Sequence, residues 1–184
     1  DLIGSTTDDA VGEAFDKVAR ICGLPYPGGV HVDELAKQGE PNIEFAHKNI
    51  LANTYNFSFS GIKTAVVNYV HNLQQKGENI NVPNICASFQ SFVTNELSSK
   101  TIKAAKEFGF DKVVVAGGVS ANSYLKKELT EKCAQNGIKL YMPDLKYCTD
   151  NGAMIASAAY YEMLAGNITT NFLNLTAKAN VPLK

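Results

Sequence analysis

Between Lys112 and Gly166 the chain alternates short β-branched runs with helix-forming runs, and this alternation limits the folds open to it more than any other feature. "KVVVAGG" reads as a strand, "NSYLKKELTEKCAQ" as a helix closed by Gly137, "IKLYMP" as a second strand, and the segment after the loop "DLKY" as a helix to Leu164 and Gly166. Strands that alternate with helices of this length form crossover units on a parallel sheet, so the fold class expected is α/β. In such sheets ligands bind beyond the carboxyl ends of the strands, where the next helices begin. The loops at Gly117 and at Asp150 both lie at that edge of the pattern.

The residues before this stretch read mostly as helix. In "DDAVGEAFDKVARIC" (Asp8 to Cys22) the apolar residues Ala10, Ala14, Val18 and Ile21 recur at helical spacing, with Gly23 suited to a left-handed cap and Pro25 to a stop. "NFSFSGIKTAVVNYV" opens with Phe57 and Phe59 alternating with serines, a short strand pattern, and turns helical after Gly61. A long helix is expected from about Asn84 to Phe108, burying Ile85, Phe89, Phe92, Leu97 and Ile102 and ending at Gly109. The first residue is Asp1, and "DLIGST" reads as the tail of a strand already under way, so the chain is expected to be a fragment.

Composition narrows the function classes. With 184 residues, 45% hydrophobic and 19% charged, the chain can build one sizeable core or two small ones. No apolar run approaches the roughly 18 to 20 residues of a membrane span and no basic-then-apolar leader opens the chain, so it is expected to be soluble. Cys22, Cys86, Cys133 and Cys148 form no C-x-x-C pair, which argues against a zinc knuckle or a disulfide scaffold and fits a cytoplasmic location. Asn-x-Ser/Thr triplets at Asn56, Asn167 and Asn174 match a glycosylation pattern that arises often by chance. The net charge of -1 does not suit a free-standing nucleic-acid binder; a nucleic acid would have to be held by a local basic patch or through another subunit.

Several residues carry candidate chemistry, each with a plain structural alternative. In "VVVAGGVSANSYL", Gly117 and Gly118 let the backbone approach a ligand, and the helix starting near Asn122 offers its amide hydrogens to an anion. The alternative is a tight turn in which Ser120 or Asn122 only caps the helix. Asp9, Glu13, Asp16 and Arg20 line one side of the first helix, either as a solvated face with Glu13–Lys17 and Asp16–Arg20 pairs or as acids that hold a vicinal diol near "YPGG". Asp150, at the head of the last helix in "YCTDNGAMIA", is either an N-cap or a metal ligand, and Cys148 either touches that metal or is a buried thiol. Lys63 could meet a phosphate or be exposed. Lys100, Lys103 and Lys106 could form a stripe that faces a nucleic acid or a solvated face.

"GSTTDDAVGEAFDKVARICGLPYPGG", "NFSFSGIKTAV", "VVVAGGVSANSYL" and "CTDNGAMIA", in this order and spacing, resemble the C-terminal half of the TsaD family, also known as the O-sialoglycoprotein endopeptidase family, over essentially all 184 residues. The resemblance implies the actin-like ATPase superfold shared with sugar kinases and heat-shock chaperones, with residues 1–184 forming mainly the second lobe and the N-terminal lobe absent. It implies a transferase that moves a threonylcarbamoyl group from threonylcarbamoyl-AMP to N6 of adenosine at tRNA position 37, releasing AMP. Carried over residue by residue, Asp16, Gly29, Asp33 and Asn122 match the family's contacts to the nucleotide part of that substrate, and Asp150 matches a ligand of a catalytic metal, iron or zinc.

The family's other metal ligands are two histidines in an H-x-x-x-H helix of the N-terminal half. His31, His47 and His71 do not have that spacing, so Asp150 alone is expected to bind metal poorly and to cap its helix. The chain by itself is expected to be inactive while retaining weak affinity for an ATP- or AMP-type nucleotide. Bacterial members work with TsaB and TsaE subunits. A metalloprotease and a non-catalytic nucleotide-binding scaffold are the competing readings; the chain has no H-E-x-x-H, and the diol-holding constellation has no evident use in peptide hydrolysis.

Overall fold

The computed structural model describes residues 1–46, 51–168, 173 and 176. They fall into two compact units, Asp1–Thr149 and Asp150–Lys184, each described by itself. His47 lies outside the described residues.

The first unit contains helices α1 (Val11–Ile21), α2 (Gly28–Ala36), α3 (Ser60–Lys76), α4 (Val82–Glu107) and α5 (Ser123–Gln135), with strands β1 (Lys112–Val114) and β2 (Lys139–Tyr141). The strands pair in parallel, Val113 opposite Leu140, and α5 is the crossover between them, so the α/β reading holds. β1 is shorter than "KVVVAGG" predicts because the chain turns at Gly117, whose φ of 91° suits glycine, into a 3-10 turn over Gly118–Ala121.

The two strands expected near Thr6 and Phe57 reduce to a single parallel bridge between those residues. Phe57 both donates to Ser5 and accepts from Thr7, but the pairing cannot extend because α3 starts at Ser60. Alternation survives in the side chains: the Phe57 and Phe59 rings lie on one side, stacked at 5.9 Å.

Helix α1 begins three residues later than the apolar period predicts, because Asp8 and Asp9 are engaged elsewhere. Asp8 accepts from the Phe59 and Ser60 amides and from both serine hydroxyls, Ser58 and Ser60, and so caps α3 from a distant segment. Its partial burial pushes its carboxyl up, but these hydrogen bonds outweigh that and hold it well below the usual carboxylate range. Asp9 takes Lys17 at 2.7 Å and Lys63 at 2.9 Å; the hydrogen bonds from these two ammonium groups lower its carboxyl. Lys63 is therefore an ion-paired lysine and not a free surface one. The predicted Glu13–Lys17 pair forms at 2.6 Å.

The main core joins the four N-terminal helices. α1 contributes Ala14, Phe15, Val18 and Ala19; α2 Val32 and Ala36; α3 Ile62, Val66 and Val70; α4 Ile85, Phe89 and Val93. Phe15 meets Phe89 edge-on, with ring centroids 5.1 Å apart. A smaller cluster of Ile102, Ala105, Cys133 and Ile138 lies with Val113 and Leu140 of the strands. Phe92 and Leu97 are only half-buried. Cys86, Cys133 and Cys148 are buried, and all four thiols are free.

The lysine stripe does not form a common face. Lys100 is buried and donates to the carbonyls of Leu51 at 3.0 Å and Asn56 at 2.6 Å, whereas Lys103 faces Glu107 and the Tyr55 ring. The second unit contains α6 (Gly152–Leu164), followed by Gly166 at φ 79°. No helix among the described residues is long and apolar enough to cross a membrane.

Candidate functional site

Four of the residues singled out from the sequence lie on α1, on α2 and at the head of α5, linked through α2. Asp16, on α1, does not pair with Arg20; its Oδ1 accepts the Gly28 amide at 2.7 Å, so one acid holds the first turn of α2. Gly28 itself is packed tightly, since a methyl group there would collide with Ala19 Cβ and lie 2.9 Å from Asp16 Cα. Next to it, Gly29 has open space where a side chain would stand. The amides of this first turn have no intrahelical partners. The start of α2 thus joins an acid, free amide hydrogens and an uncovered backbone.

One turn along α2 from Gly29 is Asp33. It accepts from the Ser123 hydroxyl at 2.9 Å and from Lys37 at 3.3 Å, and the Ser123 amide approaches it at 3.4 Å. Ser123 is the first residue of α5, and Asn122 before it is the N-cap: its Oδ1 accepts the Leu125 amide at 2.9 Å. Asn122 is 8% exposed, and its Nδ2 donates to Gln90 Oε1 of α4 at 2.8 Å. Asn122 therefore caps α5, and this leaves its second Nδ2 hydrogen for another partner. Ser120 does not cap α5; its hydroxyl closes the preceding turn on the Gly117 carbonyl at 2.6 Å.

Gly117 and Gly118 are exposed, with nothing near the position of an added Cβ. The loop lies after β1, at the carboxyl edge the strand pattern predicted, and Val119 within it packs on the main core, 3.5 Å from where a Gly12 side chain would begin.

Chemically, the arrangement offers two carboxylates with remaining lone pairs, two helix N-termini and one amide N–H. That donor and acceptor set suits a nucleoside: a carboxylate accepts both hydroxyls of a ribose, and helix N-termini favour phosphate. Ser123 and Gln90 were not singled out from the sequence. Ser123 was hidden as one serine in a polar turn, and the only signal for Gln90 was a long polar side chain within the apolar run "ICASFQSFV".

Asp150 belongs to the second unit, and it is not the cap that the sequence predicts. Asn151 holds that position, its Oδ1 accepting the Met154 amide at 2.9 Å, because α6 starts one residue later than the cap assignment required. Cys148 is buried, with Sγ 3.6 Å from the Asp144 carbonyl, in keeping with a structural thiol. Among the described residues no three His, Cys, Asp or Glu side chains gather to hold a metal ion. The residues present thus do not form a site for iron or zinc on their own; Asp150 is a single exposed carboxylate.

In comparison with known proteins, the family model for TsaD, tRNA N6-adenosine threonylcarbamoyltransferase, matches residues 1–157. A tRNA N6-adenosine threonylcarbamoyltransferase of Caldicellulosiruptor saccharolyticus is 49% identical over 95% of this chain and 52% of its own length. The protein of the same name from Staphylococcus saprophyticus is 50% identical over 95% of this chain and 51% of its own. A third, from Clostridium perfringens, is 47% identical across the whole chain and 54% of its own length. The chain spans about half the length of the curated relatives it matches. Among solved structures, full-length HypF in its phosphate- and nucleotide-bound form superposes with a TM-score of 0.58 at 23% identity, over 85% of this chain and 20% of HypF, a likeness of fold. With the matched model running from the first residue through the Asp16, Asp33 and Asn122 junction to Asp150, the chain belongs to the TsaD family.

Proposed function

We propose that this chain is the nucleotide-holding part of a tRNA N6-adenosine threonylcarbamoyltransferase, which moves the threonylcarbamoyl group of threonylcarbamoyl-AMP to N6 of adenosine 37 in tRNA. The observation that carries the reading is the linked set Asp16–Gly28, Gly29, Asp33–Ser123 and Asn122, which gathers the polar groups a nucleoside monophosphate needs around two helix N-termini. In this reading the carboxylates of Asp16 and Asp33 take ribose hydroxyls, Gly29 admits the nucleoside edge, Asn122 donates to it, and the Gly117–Gly118 loop borders the phosphate.

The reaction is acyl transfer from an adenylate. The adenosine amine is a weak nucleophile, so most of the acceleration comes from positioning and from stabilising the oxyanion that develops on the carbamoyl oxygen as the amine adds to the carbamoyl carbon. This chain's part is to hold the AMP leaving group still. Asp150 would be one ligand of an iron or zinc ion whose remaining ligands lie outside the described residues; a Lewis acid there would polarise the carbamoyl oxygen. The proposal includes cytoplasmic action on tRNA with TsaB-like and TsaE-like subunits if the source is bacterial.

The test is reconstitution of the full-length protein with partner subunits, threonine, bicarbonate, ATP, the adenylate-forming enzyme and unmodified tRNA, read by nucleoside mass spectrometry. Threonylcarbamoyladenosine is expected with the unaltered protein and is lost with Asp16→Ala and with Asp150→Ala. Product at equal levels in all three proteins would remove both assignments. Its absence from all three would remove the transferase reading.

A further inference from the structure

We propose that Gln90 is a positioning residue for nucleotide binding: it takes one N–H of the Asn122 side-chain amide, whose orientation the α5 cap selects, and so holds that amide with its other N–H presented to the ligand. The inference rests on the reading of Asn122 as a nucleotide contact and adds to it the group that makes the contact directional.

The argument starts from the two ends of the Asn122 amide. Its Oδ1 faces the Leu125 N–H at 2.9 Å, and rotating the amide by half a turn would bring Nδ2 against that N–H, donor against donor. The helix cap therefore selects one orientation, and in it Nδ2 points to Gln90. Gln90 must then present Oε1, as it does at 2.8 Å. Gln90 is 2% exposed in the middle of α4, beside the fully buried Phe89 and one turn from the equally buried Val93. A long amide in such a place is costly unless paired, and an aliphatic side chain would meet the needs of the core better. What the amide supplies is an acceptor that occupies one Asn122 N–H and leaves the other.

The experiment is equilibrium binding of AMP to the full-length protein, by calorimetry or with a fluorescent AMP, for the unaltered protein, Gln90→Leu, Gln90→Glu, Asn122→Ala and the Gln90→Leu/Asn122→Ala double variant. Gln90→Leu is expected to weaken AMP binding about tenfold, the scale of one hydrogen bond to the ligand that is no longer held in line. Gln90→Glu keeps an acceptor and retains affinity within about twofold. In the Asn122→Ala background the Gln90→Leu substitution is expected to add nothing, because its effect passes through Asn122. Should Gln90→Leu not fold, Gln90→Met carries the same expectations.

Affinity unchanged in Gln90→Leu while Asn122→Ala weakens binding would overturn the positioning role and leave the Asn122 contact standing. A Gln90→Leu loss of equal size in both backgrounds, or a Gln90→Glu loss as large as that of Gln90→Leu, would reduce Gln90 to a packing residue. Asn122→Ala with full affinity would overturn the nucleotide contact itself, and the positioning role with it.

Discussion

Gly28 and Gly29 are adjacent and chemically identical, yet the structure gives them opposite duties. Gly28 allows α2 to approach α1 so closely that a methyl group has no room beside Ala19 and Asp16 Cα, and its amide donates to the Asp16 carboxylate across that approach. Gly28→Ala is expected to destabilise the protein by about 1–3 kcal/mol, the usual cost of forcing an extra methyl into a packed contact, measured as a shift in urea midpoint. Gly29→Ala, facing open space at the head of a helix, is expected to leave stability unchanged or slightly raised while weakening AMP binding. If Gly28→Ala unfolds like the unaltered protein, the close approach is not strained and the reading of the pair fails. Asp8 gives a second residue-scale expectation. Its carboxyl is held below the ordinary range in the folded chain, so its contribution to stability is complete above the unfolded pKa of about 3.9 and is lost as the pH falls below it. Asp8→Asn should therefore narrow the stability gap to the unaltered protein as pH is lowered from about 5 to about 2. A gap that stays constant over that range would show that the charge of Asp8 is not what holds α3.

At the scale of elements, the helices other than α2 and the strands β1 and β2 were legible in the sequence, whereas α2 had no such mark and the strands expected near Thr6 and Phe57 shrank to one bridge. A helix satisfies its own backbone, so apolar spacing and a closing glycine are enough to mark it; Gly23, Gly77, Gly109, Gly137 and Gly166 all adopt positive φ just past a helix. A strand depends on a partner, and the runs at Ser5–Thr7 and Phe57 have only each other for one bridge. The capping of α3 by Asp8, 52 residues away from Ser60, leaves no local sequence signal at all. The same limit applied to α4. Its lysines looked alike in a periodic reading, but Lys100 is the one that joins α4 to the Leu51–Asn56 segment, and its ammonium also lies 5.2 Å from the Phe57 ring centroid. Lys100→Met keeps the stem and removes the ammonium, leaving two carbonyls without their donor. A loss of about 1–3 kcal/mol is expected in equilibrium unfolding, against little change for Lys103→Met, whose partners are exposed. Equal effects of the two substitutions would mean that Lys100 contributes no more than a surface charge.

For the molecule as a whole, the distribution of site residues over the two units makes a prediction about metal and nucleotide. Asp16, Gly29, Asp33 and Asn122 all lie within Asp1–Thr149 and are joined there by direct hydrogen bonds or by adjacency in sequence. The sequence had marked these four by resemblance, and the structure supplies what sequence could not: the bridging groups, Gln90 and Ser123, contributed by α4 and α5. Asp150 starts the other unit, and among the described residues no three metal-binding side chains gather to hold an ion. Nucleotide affinity should therefore not depend on metal, whereas transfer should. Adding AMP to the 184-residue chain is expected to move the amide NMR signals of Gly29 and Ser123, and excess chelator or Asp150→Ala should leave those shifts in place. Under the proposed function, chelator should abolish threonylcarbamoyladenosine formation by the full-length protein, where Asp150 would be one ligand of the proposed metal. Shifts that vanish with chelator would mean that metal is part of the nucleotide site, and the division of labour between the two units would have to be abandoned. Shifts that never occur would instead show that the Asp16–Asn122 junction does not hold AMP without the rest of the protein.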